Sequence, residues 1–159
     1  RSDIVKAHFE KTEYSPATTA APSNPGLKAT WHDFKGKTCS EIAAAPVKKT
    51  YRVEDVTIPK GVKSFIIGLT YKGYINIPED GIYSFYLSSD DGSMLYIDGK
   101  QVIDNDGLHA PGEVTGQAAL KQGYHPIEVQ YFDHGGGSIN LKVCDNNGKE
   151  MPFTYLYAH

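Results

Sequence analysis

Cysteine is scarce in this chain. Its 159 residues include two, Cys39 and Cys144, so at most one intramolecular pairing exists. Neither stands in a CxxC or a Cys/His cluster, which argues against a zinc site, and both are expected to be unpaired thiols. Positive charge is not in surplus either. A net charge of −3 leaves no basic footprint for nucleic acid and no polybasic patch for a membrane surface. No apolar run approaches the ~20 residues of a membrane span, and no secretory leader is present. The chain opens on Arg1 rather than Met, so it reads as an excised or processed piece of a longer polypeptide. The motifs of catalysis are missing as well: no nucleophile elbow, phosphate loop or zinc helix appears. Carboxylates are plentiful, yet no spacing among them selects a glycosidase acid and base. The chain is therefore read as a module that is not itself an enzyme.

Short alternating segments and tight turns are what the sequence does have. Hydrophobic residues make up 40% and there are 11 tyrosines, a composition that suits a globular β protein with a real core. The organising stretch is Gly81 to Asp104. Tyr83, Phe85 and Leu87 alternate with Ser84, Tyr86 and Ser88, the period-2 pattern of a half-buried strand. Asp98-Gly99 lies between Leu95-Tyr96-Ile97 and Lys100-Gln101-Val102. Asp-Gly takes the positive φ angles that a two-residue hairpin turn requires. Between the first two of these strands lie Asp90 and Asp91, whose carboxylates repel each other unless something positive shares them.

The flanks continue the rhythm. Arg1 to Pro25 carries three prolines and a linker-like run over residues 15–24, so residues 1–25 are expected to form an irregular arm and residues 26–159 a single domain. Asp3 to Glu10 is compatible with a short strand or a helix. Gly26 to Phe34 is expected to be an early strand, Cys39 to Ala45 a short helical turn ended before Pro46, and Lys48 to Ile58 one alternating segment. Phe65 to Tyr71 and Tyr74 to Ile77 read as two strands. Asp104-Asn105-Asp106-Gly107 reads as a polar turn, because no downstream glutamate completes an EF-hand loop. Val114 to Leu120 is a weak strand. His125, Ile127, Val129 and Tyr131 alternate in the next, which Gly135-Gly136-Gly137 breaks. Ile139 to Val143 and Phe153 to Tyr157 close the chain. Strands this short, with turns this regular, predict an all-β antiparallel sandwich.

The stretch DGIYSFYLSSDDGSMLYIDGKQVIDNDG, with the later LKQGYHPIEVQYFDHGGGSINLKV, resembles the PA14 domain family. Members are β-sandwich modules of bacterial glycosidases, yeast flocculins and adhesins, and the anthrax protective antigen. The flanks GLKATWHDFKG and MPFTYLYAH are most similar to PA14 modules attached to β-N-acetylhexosaminidases. In the yeast lectins of the family, two adjacent aspartates joined by a cis peptide hold calcium, and a later loop adds a side-chain oxygen and two carbonyls. The resemblance maps those roles onto Asp90 and Asp91, onto Asp133 where the lectins carry asparagine, and onto the carbonyls of Gly135 and Gly137. Calcium suits such a set, being a hard ion that takes six to eight oxygens in irregular geometry. The glycines remove the side chains that frame a sugar in the lectins, which leaves His134 and His109 as substitute glycan contacts. The residues also allow plainer roles. Asp-Asp-Gly is an ordinary turn sequence, Asp133-His134 a solvated hairpin tip, His109 a loop contact, and Tyr83, Tyr86, Tyr96 and Tyr131 packing residues.

What the resemblance implies is a non-catalytic, carbohydrate-binding or accessory module of a secreted bacterial glycoside hydrolase. Its expected partners are a glycan, bound with calcium as the cofactor, and the catalytic domain of the same polypeptide. Neither nucleic acid nor membrane insertion is expected, and the module is expected to be a monomer at the cell surface, in the periplasm or outside the cell. The alternative is a structural spacer or docking domain with no ligand of its own.

Overall fold

In a computed structural model of the chain, the residues described are 14–18, 24–34, 36, 38–56, 58–59, 61–62, 66–106, 112–134, 138–151 and 155–157. Eleven strands run through them in chain order: β1 Asn24–Pro25, β2 Leu27–His32, β3 Val47–Val53, β4 Ile67–Ile77, β5 Gly81–Ser89, β6 Ser93–Ile97, β7 Lys100–Asn105, β8 Gly112–Leu120, β9 Gly123–Asp133, β10 Ile139–Cys144 and β11 Tyr155–Tyr157. The larger sheet is ordered β1-β11-β4-β9-β6-β7, with β2 also on β4 and β3 on β2. The smaller is β10-β5-β8. Every strand pairing is antiparallel. The fold is an all-β sandwich, as the alternation predicts.

The alternating residues face inward from both sheets. Tyr83, Phe85 and Leu87 of β5 and Leu141 and Val143 of β10 meet Leu69, Tyr71, Leu95, Val129 and Tyr131 of the large sheet in one buried cluster. A strand has two faces, and the outer face of the large sheet is also partly covered. Phe132 and Met94 point there and pack against Phe34, Cys39 and Ile42, which belong to the segment before β3 and its 3-10 turn, Cys39–Glu41. Both cysteines are buried and unpaired.

Four local expectations need correction. Phe65 to Tyr71 and Tyr74 to Ile77 are not two strands. β4 runs unbroken through Lys72 and Gly73, held in register with all eleven residues of β9. Lys72 and Gly73 pair with Glu128 and Ile127 of β9, so the ladder carries the strand through the glycine. The segment Lys48 to Ile58 is shorter than expected, since β3 stops at Val53 and the Asp55 carboxylate accepts the Val56 amide, bending Val56 into the core. Asp104 to Gly107 is not simply a turn, because Asp104 and Asn105 finish β7. The weak strand after it is a full nine residues, all paired to β5. Its small side chains blurred the alternation because they serve a close approach: a Cβ on Gly116 would lie 2.3 Å from the Val102 carbonyl oxygen.

Two turn details place the hairpin. Asp98 and Gly99 have φ of 55° and 77°, as the Asp-Gly pair predicts. Pro126 lies inside β9, where a missing N–H is ordinarily costly. Its carbonyl accepts the Asp98 amide. In an antiparallel strand the N–H and C=O of a residue point to the same side, so the donor that Pro126 lacks falls just past the end of β6. The expected strand or helix over Asp3 to Glu10 lies outside the described residues.

Candidate functional site

Two strand ends build the site. β5 ends at Ser89 and β6 starts at Ser93, so Asp90, Asp91 and Gly92 form the connection between the two sheets. β9 ends at Asp133, and its register places Tyr131 opposite Ser93. The loops then run side by side. The Asp91 amide donates to the Phe132 carbonyl at 3.3 Å, the Phe132 amide to the Gly92 carbonyl at 2.9 Å, and the Asp90 amide to the Ser138 carbonyl at 3.1 Å. The peptide between Asp90 and Asp91 is cis.

In this arrangement one carboxylate oxygen from each of Asp90, Asp91 and Asp133 lies within 4.8 Å of the others. Asp133 is 3% exposed and Asp90 is half-buried. The Asp91 carboxylate also accepts the His134 amide at 2.9 Å. Three negative groups thus converge on one point from positions far apart in the chain. At 4.8 Å a pair of unit charges repels by about 0.9 kcal/mol in water and about 3.5 kcal/mol at an effective dielectric constant of 20. That repulsion is what hydrogen bonds such as the one from the His134 amide, or a shared cation, offset.

A buried polar layer holds the connection from beneath. The Ser89 hydroxyl donates to the Asp91 carbonyl at 2.8 Å. Its oxygen must then accept from Ser93 Oγ, 2.5 Å away, and it also accepts from Asn105 Nδ2 at 3.3 Å. One donor and two acceptor positions exhaust a hydroxyl, so Ser89 is saturated although only 2% exposed. Asn105 Nδ2 donates further to the Gly112 carbonyl at 3.1 Å. The Tyr131 hydroxyl donates to the Asp90 carbonyl at 3.0 Å. Burial, with Asp133, Asp90 and Asp91 beside it, pushes the Tyr131 hydroxyl above its ordinary pKa, so it stays a neutral donor.

His134 has a defined place. Its Nε2 donates to the Gly36 carbonyl at 2.6 Å, and its ring meets Phe132 and Phe34 edge-on, with centroids 5.7 and 6.4 Å away. The ring fastens the segment after β2 to the site loop. The two carbonyls expected from Gly135 and Gly137, and the contact expected from His109, lie outside the described residues. Asp104 and Asp106, from the run expected to be a polar turn, bind backbone: Asp104 accepts the Asp106 amide at 3.1 Å and Asp106 the Cys39 amide at 2.8 Å.

Sequence reasoning missed Ser89, Ser93, Asn105 and Gly36 as supports of the site. A signal existed for the serines, which stand symmetrically about Asp90-Asp91-Gly92 at inward-facing strand positions. A small polar residue where an apolar one is due marks a buried polar contact.

The PA14 domain model matches residues 23–155, and the chain belongs to that family. Among sequence relatives, a β-hexosaminidase of Porphyromonas gingivalis is 36% identical over 77 residues, which are 48% of this chain and 9% of that protein. An α-agarase of Thalassotalea agarivorans is 41% identical over 68 residues, 43% of this chain and 4% of that protein. The matched regions are thus less than a tenth of either relative. Among solved structures, a PA14 sugar-binding domain from an RTX adhesin superposes with a TM-score of 0.72 at 17% identity, covering 86% of this chain and all of the other. That likeness is one of fold.

Proposed function

We propose that this PA14 domain is a non-catalytic glycan-binding module of a secreted bacterial glycoside hydrolase, and that it binds through calcium held by Asp90, Asp91 and Asp133. The observation that carries this reading is the convergence of the three carboxylates within 4.8 Å. Two oxygens bound to one calcium at about 2.4 Å stand at most about 4.8 Å apart, so the spacing fits a shared ion. The donors are all oxygen, which suits a hard cation. Bound there, calcium would offer coordination positions to neighbouring sugar hydroxyls. The chain's own contribution is to orient the carboxylates through the Ser89–Ser93–Asn105 layer and Tyr131, and to fix the rim through His134. The glycosidase relatives support an accessory role beside a catalytic domain, working at the cell surface, in the periplasm or outside the cell.

Calorimetry and thermal melts with calcium chloride test the metal. Binding heat and a rise in Tm are expected for the wild type, both strongly reduced in Asp91→Asn. No heat and no shift would remove the calcium claim. A glycan array read with calcium and with EDTA tests the sugar. Signals confined to the calcium arm support the reading, and a blank array leaves a spacer or docking domain.

A further inference from the structure

A second surface lies on the outer face of the large sheet, away from the acidic loops. Cross-strand partners share a face, so the registers draw its rows. Lys28 of β2 stands opposite Lys72 of β4, Lys72 opposite Glu128 of β9, and Glu128 opposite Tyr96 of β6. Tyr74 stands opposite Pro126 in the adjoining row. These six residues line a groove of about 410 Å³. The Phe132 end of this face is packed under the segment before β3, and Tyr96 packs against that cluster while also lining the groove. At the groove, Lys28 and Lys72 are exposed and Tyr74 and Tyr96 half-buried.

Two features narrow the ligand. The first is charge. Like charges directly opposite each other on a sheet are unfavourable, yet Lys28 faces Lys72. The one acid in their row, Glu128, also accepts a hydrogen bond from Gln130 Nε2 at 2.8 Å, and two lysines against this one glutamate leave the three residues net positive. The second is geometry. Tyr74 and Tyr96 are separated by one intervening strand and offset by two residues along it. With strands about 4.8 Å apart and about 3.4 Å per residue, the two positions lie about 12 Å apart on the diagonal. Strands inside a sheet have their backbone groups bonded to their neighbours, so a peptide cannot pair with them as it does at a sheet edge. Recognition here falls to rings and to charged and hydroxyl side chains.

We infer that this groove is a binding site for an anionic saccharide, whose sugar rings lie on Tyr74 and Tyr96 while a carboxylate or sulfate group is held between Lys28 and Lys72. The site is separate from the acidic loops and does not depend on calcium.

Titration of the ¹⁵N-labelled chain with a galacturonate hexasaccharide, a chondroitin sulfate hexasaccharide and neutral cellohexaose tests this. The first two distinguish carboxylate from sulfate, and all are run in EDTA so that failure of the calcium site leaves the result unaffected. Amide shifts are expected at Lys72, Gly73, Tyr96 and Gly99 with at least one anionic sugar, not at Gly92 or His134, and weakening as salt rises. Lys72→Glu should weaken binding about tenfold, and Glu128→Gln should strengthen it. Asp91→Asn should leave it unchanged. Absence of binding by both anionic sugars, equal binding of cellohexaose, indifference to Lys72→Glu, or shifts confined to the acidic loops would overturn the proposal.

Discussion

Replacing Asp133 by asparagine separates the charge argument from ordinary packing. The side chain keeps its shape and loses its charge. Asp90 and Asp91 are neighbours in the unfolded chain as well, so much of their mutual repulsion is present in both states. Asp133 lies 42 positions beyond Asp91, and folding alone brings it within 4.8 Å of both. Without a cation the substitution removes two repulsive pairs created by folding, worth about 2 kcal/mol together in the water limit and about 7 kcal/mol at a dielectric constant of 20. For a domain of this size 1 kcal/mol moves Tm by about 2–4 °C, so removing these pairs is worth at least about 4 °C, and Asp133→Asn should melt above the wild type in EDTA by that amount less what the carboxylate's own favourable contacts contribute. Calcium narrows the gap. A ligand at 100 times its Kd stabilises by about 2.7 kcal/mol, and the variant, one anionic donor poorer, gains less. Melting curves of both proteins in EDTA and in millimolar calcium read the change. If the difference between the two proteins is the same in both buffers, the carboxylates do not share an ion, and the reasoning fails.

Two further outcomes follow from the packing. Gly116→Ala places a Cβ 2.3 Å from the Val102 carbonyl oxygen and 2.8 Å from Ile103 Cγ1, wedging β8 from β7. Urea denaturation should show a loss of about 1–3 kcal/mol, and unchanged stability would mean that the two sheets do not close so tightly there. At alkaline pH the buried tyrosines matter. Burial pushes the Tyr71 and Tyr131 hydroxyls above the ordinary value of 10.0, helped at Tyr71 by Tyr131 and at Tyr131 by the three aspartates. Above about pH 10 the unfolded chain loses these protons while the native chain keeps them, so stability falls as pH rises, by up to about 1.4 kcal/mol per pH unit for each tyrosine. A urea midpoint that is flat from pH 9 to 11 would contradict the burial of both hydroxyls.

Much of the architecture was legible because strands announce themselves locally. The alternation of β5 and the Asp98-Gly99 turn are properties of a few consecutive residues, and both occur where they were expected. What failed to show locally was continuity. Residues 65–77 read as two strands and 114–120 as a weak one until the partner strands are known, because a glycine such as Gly73 or Gly116 is judged by its neighbours across the sheet.

Sequence alone determined that the chain is a β-sandwich of the PA14 type and that two adjacent acids end its central strand, since periodicity, turn chemistry and a two-part motif are written along the chain. The resemblance pointed to Asp133 as a partner of those acids, but only the tertiary structure brought the three carboxylates within 4.8 Å, and it alone decided that Ser89, Ser93 and Asn105 brace them and that Lys28, Lys72 and Tyr96 share a row. Each of those facts depends on register between distant strands. Register is set by the packing of the whole sandwich, and no short segment carries it.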